Sequence, residues 1–209
     1  MKVLKSLVGI VAMAVVAGCG GEEPKQNSSQ TQAPIEKKNP EPFRFHKAIE
    51  VKPGLTFDVV SWGRGSELVG GLLILRSDST NAKYRSVSDG VEGRVDDAWN
   101  MDMDSDGNPE IFIQTRGEDK DSYLKMYVYE FNDSGSSQEL RFPELTASTK
   151  KTYHGKDSIY IKDGNLYREF PVYDDQDTAA VKPTGKKVLE YSLRGNSFSI
   201  KEIKDEAKK

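Results

Sequence analysis

With 209 residues, a formal charge of −3 and a single cysteine, the chain has neither the basic footprint that nucleic-acid binding needs nor a second thiol for an internal disulfide. Mild acidity also argues against peripheral attachment to anionic lipid through charge. Stability must come from an ordinary apolar core, and 9% aromatic residues among 36% hydrophobic ones are material for one.

The first segment is read as an address. Lys2 and Lys5 precede an apolar run from Leu7 to Ala17. Spanning a bilayer takes about 20 apolar residues, so this shorter run has the layout of a secretory signal. Val16-Ala17-Gly18-Cys19 matches a bacterial lipobox. It implies cleavage after residue 18 and lipidation of Cys19; the other reading of Cys19 is a structural or redox thiol. Removing residues 1–18 takes away two lysines and no acid, which moves the charge from −3 to −5. Gly20 in place of an aspartate after the cysteine favours the periplasmic face of the outer membrane. Residues 19–42 are rich in Gln, Asn, Ser, Pro, Glu and Lys and cannot bury enough surface to offset their ordering entropy, so they are expected to form a disordered tether.

From Phe43 to Ile203 the texture changes to short apolar runs between turn residues, enough chain for one domain that buries about 70% of its unfolded surface. Phe43 to Val51 alternates loosely before Pro53-Gly54, and Leu55–Trp62, Leu68–Leu75 and Val91–Met101 are further candidate strands. Gly70-Gly71 inside the third predicts a bulge or a close contact. Pro109–Thr115 and Ser122–Phe131 form the clearest pair. In the second, Leu124, Met126 and Val128 share one face, and Tyr123, Tyr127, Tyr129 and Phe131 the other. Covered on both sides, it reads as a central strand between layers. Asn132–Gln138 reads as a loop. Asp163-Gly164 joins Ser158–Lys162 to Asn165–Phe170, and Gly195-Asn196 joins Val188–Leu193 to Phe198–Ile203, as hairpins. Residues 204–209 are a Lys-rich end expected to fray. No amphipathic helix and no 20–50-residue repeat is evident. The fold class is all-β, a single antiparallel β-sandwich domain behind a lipoprotein signal and a tether.

Chemistry concentrates in Asp102-Met103-Asp104-Ser105-Asp106-Gly107-Asn108-Pro109-Glu110, which runs directly into the strand Ile111-Phe112-Ile113. Alternating carboxylates closed by a glycine suit Ca2+, which takes six to eight hard oxygens in irregular geometry. The candidate ligands are Asp102, Asp104, Asp106, the Asn108 carbonyl and Glu110. An EF-hand would place a bidentate Glu at the twelfth position, where Ile113 stands, so this is a strand-flanked turn. Without an ion it would be an Asp-Gly turn held by side-chain-to-backbone bonds. Any calcium here would be structural.

Enzyme readings find little support. His46 and His154 lie far apart without metal-ligand spacing, and no Gly-x-Ser-x-Gly elbow occurs. Asp174-Asp175-Gln176-Asp177 is read as a solvated loop in preference to a hydrolytic cluster.

Two stretches together resemble the bacterial periplasmic I-type (invertebrate-type) lysozyme inhibitors. One runs from Trp99 through the acidic turn to Phe131. The other is Tyr153-His154-Gly155-Lys156-Asp157, continuing through Leu166-Tyr167-Arg168-Glu169-Phe170-Pro171-Val172-Tyr173 and Pro183-Thr184-Gly185 to Tyr191-Ser192-Leu193. The resemblance implies an antiparallel sandwich, often a homodimer, that plugs a lysozyme cleft with a loop carrying a Ser-Gly…Tyr motif. The matching segment is Arg116-Gly117-Glu118-Asp119-Lys120-Asp121-Ser122-Tyr123, with Gly117 and Tyr123 in place and Arg116 where the family has serine. Tyr123, Ser122 and Gly117 would form the inserting edge, flanked by Arg116 and Lys120. The expected function is therefore an outer-membrane-anchored, non-enzymatic lipoprotein that binds and inhibits a lysozyme. The alternative is a calcium-stabilised β-domain lipoprotein with a structural or cell-wall-binding role and no lysozyme target.

Overall fold

The computed structural model describes residues 42–66, 68–117, 122–176, 179 and 182–204. The signal, Cys19, the tether before residue 42, the loop residues Glu118 to Asp121 (Lys120 with them), Asp177 and the tail beyond Lys204 lie outside the described residues.

Apolar residues on alternate positions force strands here, and the strands form three four-stranded antiparallel meanders. The first sheet is β1 (Phe43–Lys52), β2 (Leu55–Trp62), β3 (Val69–Asp78) and β4 (Lys83–Glu92). The second is β5 (Arg94–Met101), β6 (Glu110–Arg116), β7 (Leu124–Phe131) and β8 (Ser137–Leu140). The third is β9 (Ser158–Lys162), β10 (Asn165–Val172), β11 (Gly185–Arg194) and β12 (Ser197–Ile203). A short helix, α1 (Ala147–Lys151), lies between the second and third. Each sheet keeps two edge strands, so none closes into a barrel.

The sandwich has three layers with the second sheet in the middle. One core sets Ile49, Phe57, Val59, Leu72, Ile74 and Val91 of the first sheet against Val95, Ala98, Ile111, Ile113, Tyr129 and Phe131 of the second. The other sets Met101, Phe112, Leu124, Met126, Val128 and Leu140 against Leu166, Phe170, Leu189, Tyr191 and Leu193 of the third. Six of the seven residues of β6 are buried, because both its faces are covered. The two faces of β7 separate as the alternation predicts, Leu124, Met126 and Val128 into one core and Tyr129 and Phe131 into the other.

Turn chemistry sets the hairpins. Asp163 (φ 52°) with Gly164 (φ 79°), and Gly195 (φ 49°) with Asn196 (φ 64°), place two positive-φ residues in each two-residue loop. That backbone matches the twist of the strands it joins. Gly70-Gly71 produces a close contact and no register shift: a Cβ on Gly71 would meet the Trp62 indole at 2.4 Å.

Four features depart from the expectations. Val91–Met101 is two strands in different sheets, broken at Gly93 (φ 78°). Residue 93 donates its N–H to the Leu68 carbonyl, and a Cβ there would sit 2.6 Å from the Arg116 carbonyl oxygen. Gly93→Ala is therefore expected to lower stability by about 1–3 kcal/mol, read as a fall in denaturation midpoint. The edge strand β4 has Val91 as its one buried residue, and β8 has only Leu140, so neither shows an apolar alternation. Helix α1 is too short for periodicity; Thr146 caps it by accepting the Thr149 N–H at 3.2 Å.

Candidate metal centre and binding groove

The acidic turn joins β5 to β6, next-door strands of the middle sheet. Asp102 follows Met101, which packs in the second core, and Glu110 precedes Ile111, which packs in the first. The turn folds on its own carboxylates. The amide N–H of Asp106 donates to Asp102 Oδ1 at 3.1 Å and that of Gly107 to Asp102 Oδ2 at 3.2 Å. Asp106 in turn accepts the backbone N–H and side-chain amide of Asn108, both at 2.8 Å. Ser105 (φ 60°) and Gly107 (φ 86°) supply the left-handed steps. The result brings one carboxylate oxygen from each of Asp102, Asp104, Asp106 and Glu110 within 4.8 Å of one another.

Glu110 differs from the three aspartates, because its side chain is wholly buried. Its Oε2 accepts the Met103 N–H at 2.8 Å, while Oε1 has no hydrogen-bond partner. The buried Oδ1 of Asp104 is likewise without one. Burial pushes the Glu110 carboxyl up to about 7; the Met103 N–H opposes the shift, and the charges of Asp104, Asp102 and Glu130 reinforce it. Glu130, opposite Glu110 on β7, is also raised, by burial first and then by Asp106, Asp104 and Asp102. The sequence pattern marked these acids as candidate ligands. It did not mark Glu110 as a core residue, nor Glu130 as the fifth carboxylate.

The second feature is a groove of about 950 Å³ beside β7 and β8 and the 141–153 segment. Gly117 and Tyr123 border it where the β6–β7 connection leaves the sheet, the Gly117 N–H donating to the Tyr123 carbonyl at 3.0 Å. Tyr123 does not join the tyrosine row of β7. Ser122 (φ 49°) breaks the alternation, and the Tyr123 ring lies 5.3 Å from that of Tyr153 on the opposite side of the sheet. It remains 39% exposed, an amphipathic ring at the mouth of the groove.

Beneath it lies a buried polar network of Tyr153, Asp157 and Arg168. Asp157 accepts from Arg168 Nε and from the Tyr153 hydroxyl, and Arg168 Nη2 donates to that same hydroxyl at 2.8 Å. The hydroxyl also accepts the Leu124 N–H at 3.4 Å. The network thereby fixes the first residue of β7, next to Tyr123.

Arg116 does not flank this edge as expected. Its Nε donates to Asp96 at 2.9 Å and its Nη2 to the Asp157 carbonyl at 2.9 Å, so its side chain ties the middle sheet to the third. It lines a second recess with Trp99, Ser158 and Tyr160. His154 packs edge-on against Tyr173, His46 pairs with Asp58 on the first sheet, and Asp174 caps the Gln176 N–H. The two histidines and these acids do not line the groove.

No protein-family model, curated protein or solved structure matches the chain.

Proposed function

We propose that the chain is a lipid-anchored protein of the bacterial envelope that binds and inhibits a cell-wall-cleaving lysozyme, with the I-type enzymes as the first candidates. The observation that carries this reading is Tyr123. A half-exposed aromatic ring stands at the mouth of a groove, at the base of the connection that the resemblance to I-type inhibitors assigns to cleft insertion. Tyrosine suits that place because its ring gives contact area at low entropy cost and carries a polar hydroxyl.

Two further features support recognition. Tyr153 packs under the Tyr123 ring and is itself held by Arg168 and Asp157, so the edge is ordered before a partner arrives. Charges of both signs line the groove, including the pairs Lys125–Glu92 and Lys150–Glu144, a rim able to orient a charged partner. Cys19 and the residues after it would hold the domain at the periplasmic face of the outer membrane, where an incoming lysozyme must pass.

The test is cell-wall lysis by an I-type lysozyme in the presence of purified residues 20–209. Inhibition at or below micromolar protein is expected, and Tyr123→Ala is expected to weaken it tenfold or more, about 1.4 kcal/mol. Undiminished lysis at micromolar protein would sink the reading and leave a structural or cell-wall-binding module.

A further inference from the structure

We infer that the β5–β6 turn is a calcium site in which Asp102, Asp104, Asp106 and the buried Glu110 supply carboxylate oxygens to one ion. This stands independently of any lysozyme partner. Four acids in one loop do not make a site by themselves; the decisive group is Glu110. A side chain with no solvent exposure opens the central strand of the middle sheet and keeps one oxygen unpartnered. An isolated buried carboxylate is among the costliest groups a core can hold. Glu110 contributes one of the oxygens that gather with those of the aspartates, and Asp104 adds a second buried oxygen without a hydrogen-bond partner. Among the described residues, no lysine or arginine forms an ion pair with any of these four acids or with Glu130. A cation seated between the carboxylates would give both bare oxygens a partner.

The donor set selects the ion. Carboxylate oxygens alone, with no imidazole or thiolate in the cluster, suit a hard cation over zinc or copper. Carboxylates of one irregular turn, with room for further oxygens, suit Ca2+, which tolerates uneven geometry, over Mg2+, which demands a near-ideal octahedron. Water and backbone oxygens of the turn would complete the six to eight ligands that calcium takes. Because Asp102 directly follows β5 and Glu110 begins β6, the ion would pin together two strands that serve both cores.

The experiment takes the purified full chain with Cys19→Ser, strips it with EGTA, and follows calorimetry and thermal melting as calcium chloride is added. One calcium per chain is expected, and at 100 times the dissociation constant the melting temperature should rise by about 5–10 °C. Magnesium chloride should bind at least tenfold more weakly. Asp106→Asn lies on an exposed turn and is expected to fold while losing at least tenfold in calcium affinity. Glu110→Gln should lose the calcium response yet melt higher than the parent in EGTA, since it removes the buried charge. Identical melting in EGTA and calcium chloride with no binding heat would overturn the site. Equal affinity for magnesium would overturn the choice of ion, and an undiminished response in both variants would place any bound calcium elsewhere.

Discussion

Asp157→Ala is expected to cost about 3–5 kcal/mol of stability, because it removes one partner of a buried ion pair and leaves the other charged. Arg168 is 4% exposed and stands over the rings of Tyr153 and Phe170, so its guanidinium meets little water. The Tyr153 hydroxyl loses its acceptor in the same step and would be left to Arg168 and the Leu124 N–H as donors. Replacing both partners separates the charge from the packing. Asp157→Leu combined with Arg168→Met should recover most of the loss, since apolar side chains of similar volume in place of a buried pair are close to neutral. Urea denaturation of the two single variants and the double variant reads this directly. A loss below about 1 kcal/mol for Asp157→Ala would mean that water reaches the pair. The network also carries a functional consequence. With Tyr153 released, the ring under Tyr123 loosens, so Asp157→Ala should weaken any partner bound at the groove beyond what the unfolded fraction explains.

That network was legible in the sequence through parity, a weaker signal than motif. Leu166, Arg168 and Phe170 occupy the same face of β10, and two of the three are plainly core residues, so the arginine between them had to be buried and paired. Its partner was hidden because Asp157 lies in a stretch with no regular structure, where alternation gives no face. The strands that fill cores were readable for the opposite reason. Leu124 to Phe131 alternates without interruption, and both sets of its residues found a layer to pack against. Edge strands escape this logic. Lys83 to Glu92 faces solvent over most of its length, and its register is dictated by β3 through backbone bonds that any side chains would permit. The third layer was hidden in the same way. Periodicity states that a strand has two covered faces but not whether one sheet or two supply the cover. At the acidic turn the carboxylate spacing was readable, whereas the burial of Glu110 follows from the depth at which β6 enters the stack, a tertiary property.

Phe57→Ala should lower stability by about 3–5 kcal/mol, since a fully buried ring is removed from a contact that two sheets share. Phe57 of β2 meets Phe131 of β7 with ring centroids 4.7 Å apart, so the cavity opens between the first and middle sheets. The middle sheet serves both cores, and a loss on one side must therefore reach the other if the stack unfolds as a unit. The two tryptophans report on the two sides. Trp62 lies on β2 against Gly71 of the first sheet, and Trp99 stacks on Phe112 in the second core, ring centroids 5.6 Å apart. In chains that keep one or the other, with Trp62→Phe or Trp99→Phe, the fluorescence midpoints in urea should coincide within error. Phe57→Ala should then shift both by the same amount. A fall confined to the Trp62 signal would show the first sheet melting away from a pair of sheets that stay folded. The acidic turn gives that outcome a structural sense, because its carboxylates join β5 to β6 and an ion held between them would brace the middle sheet after the first had left.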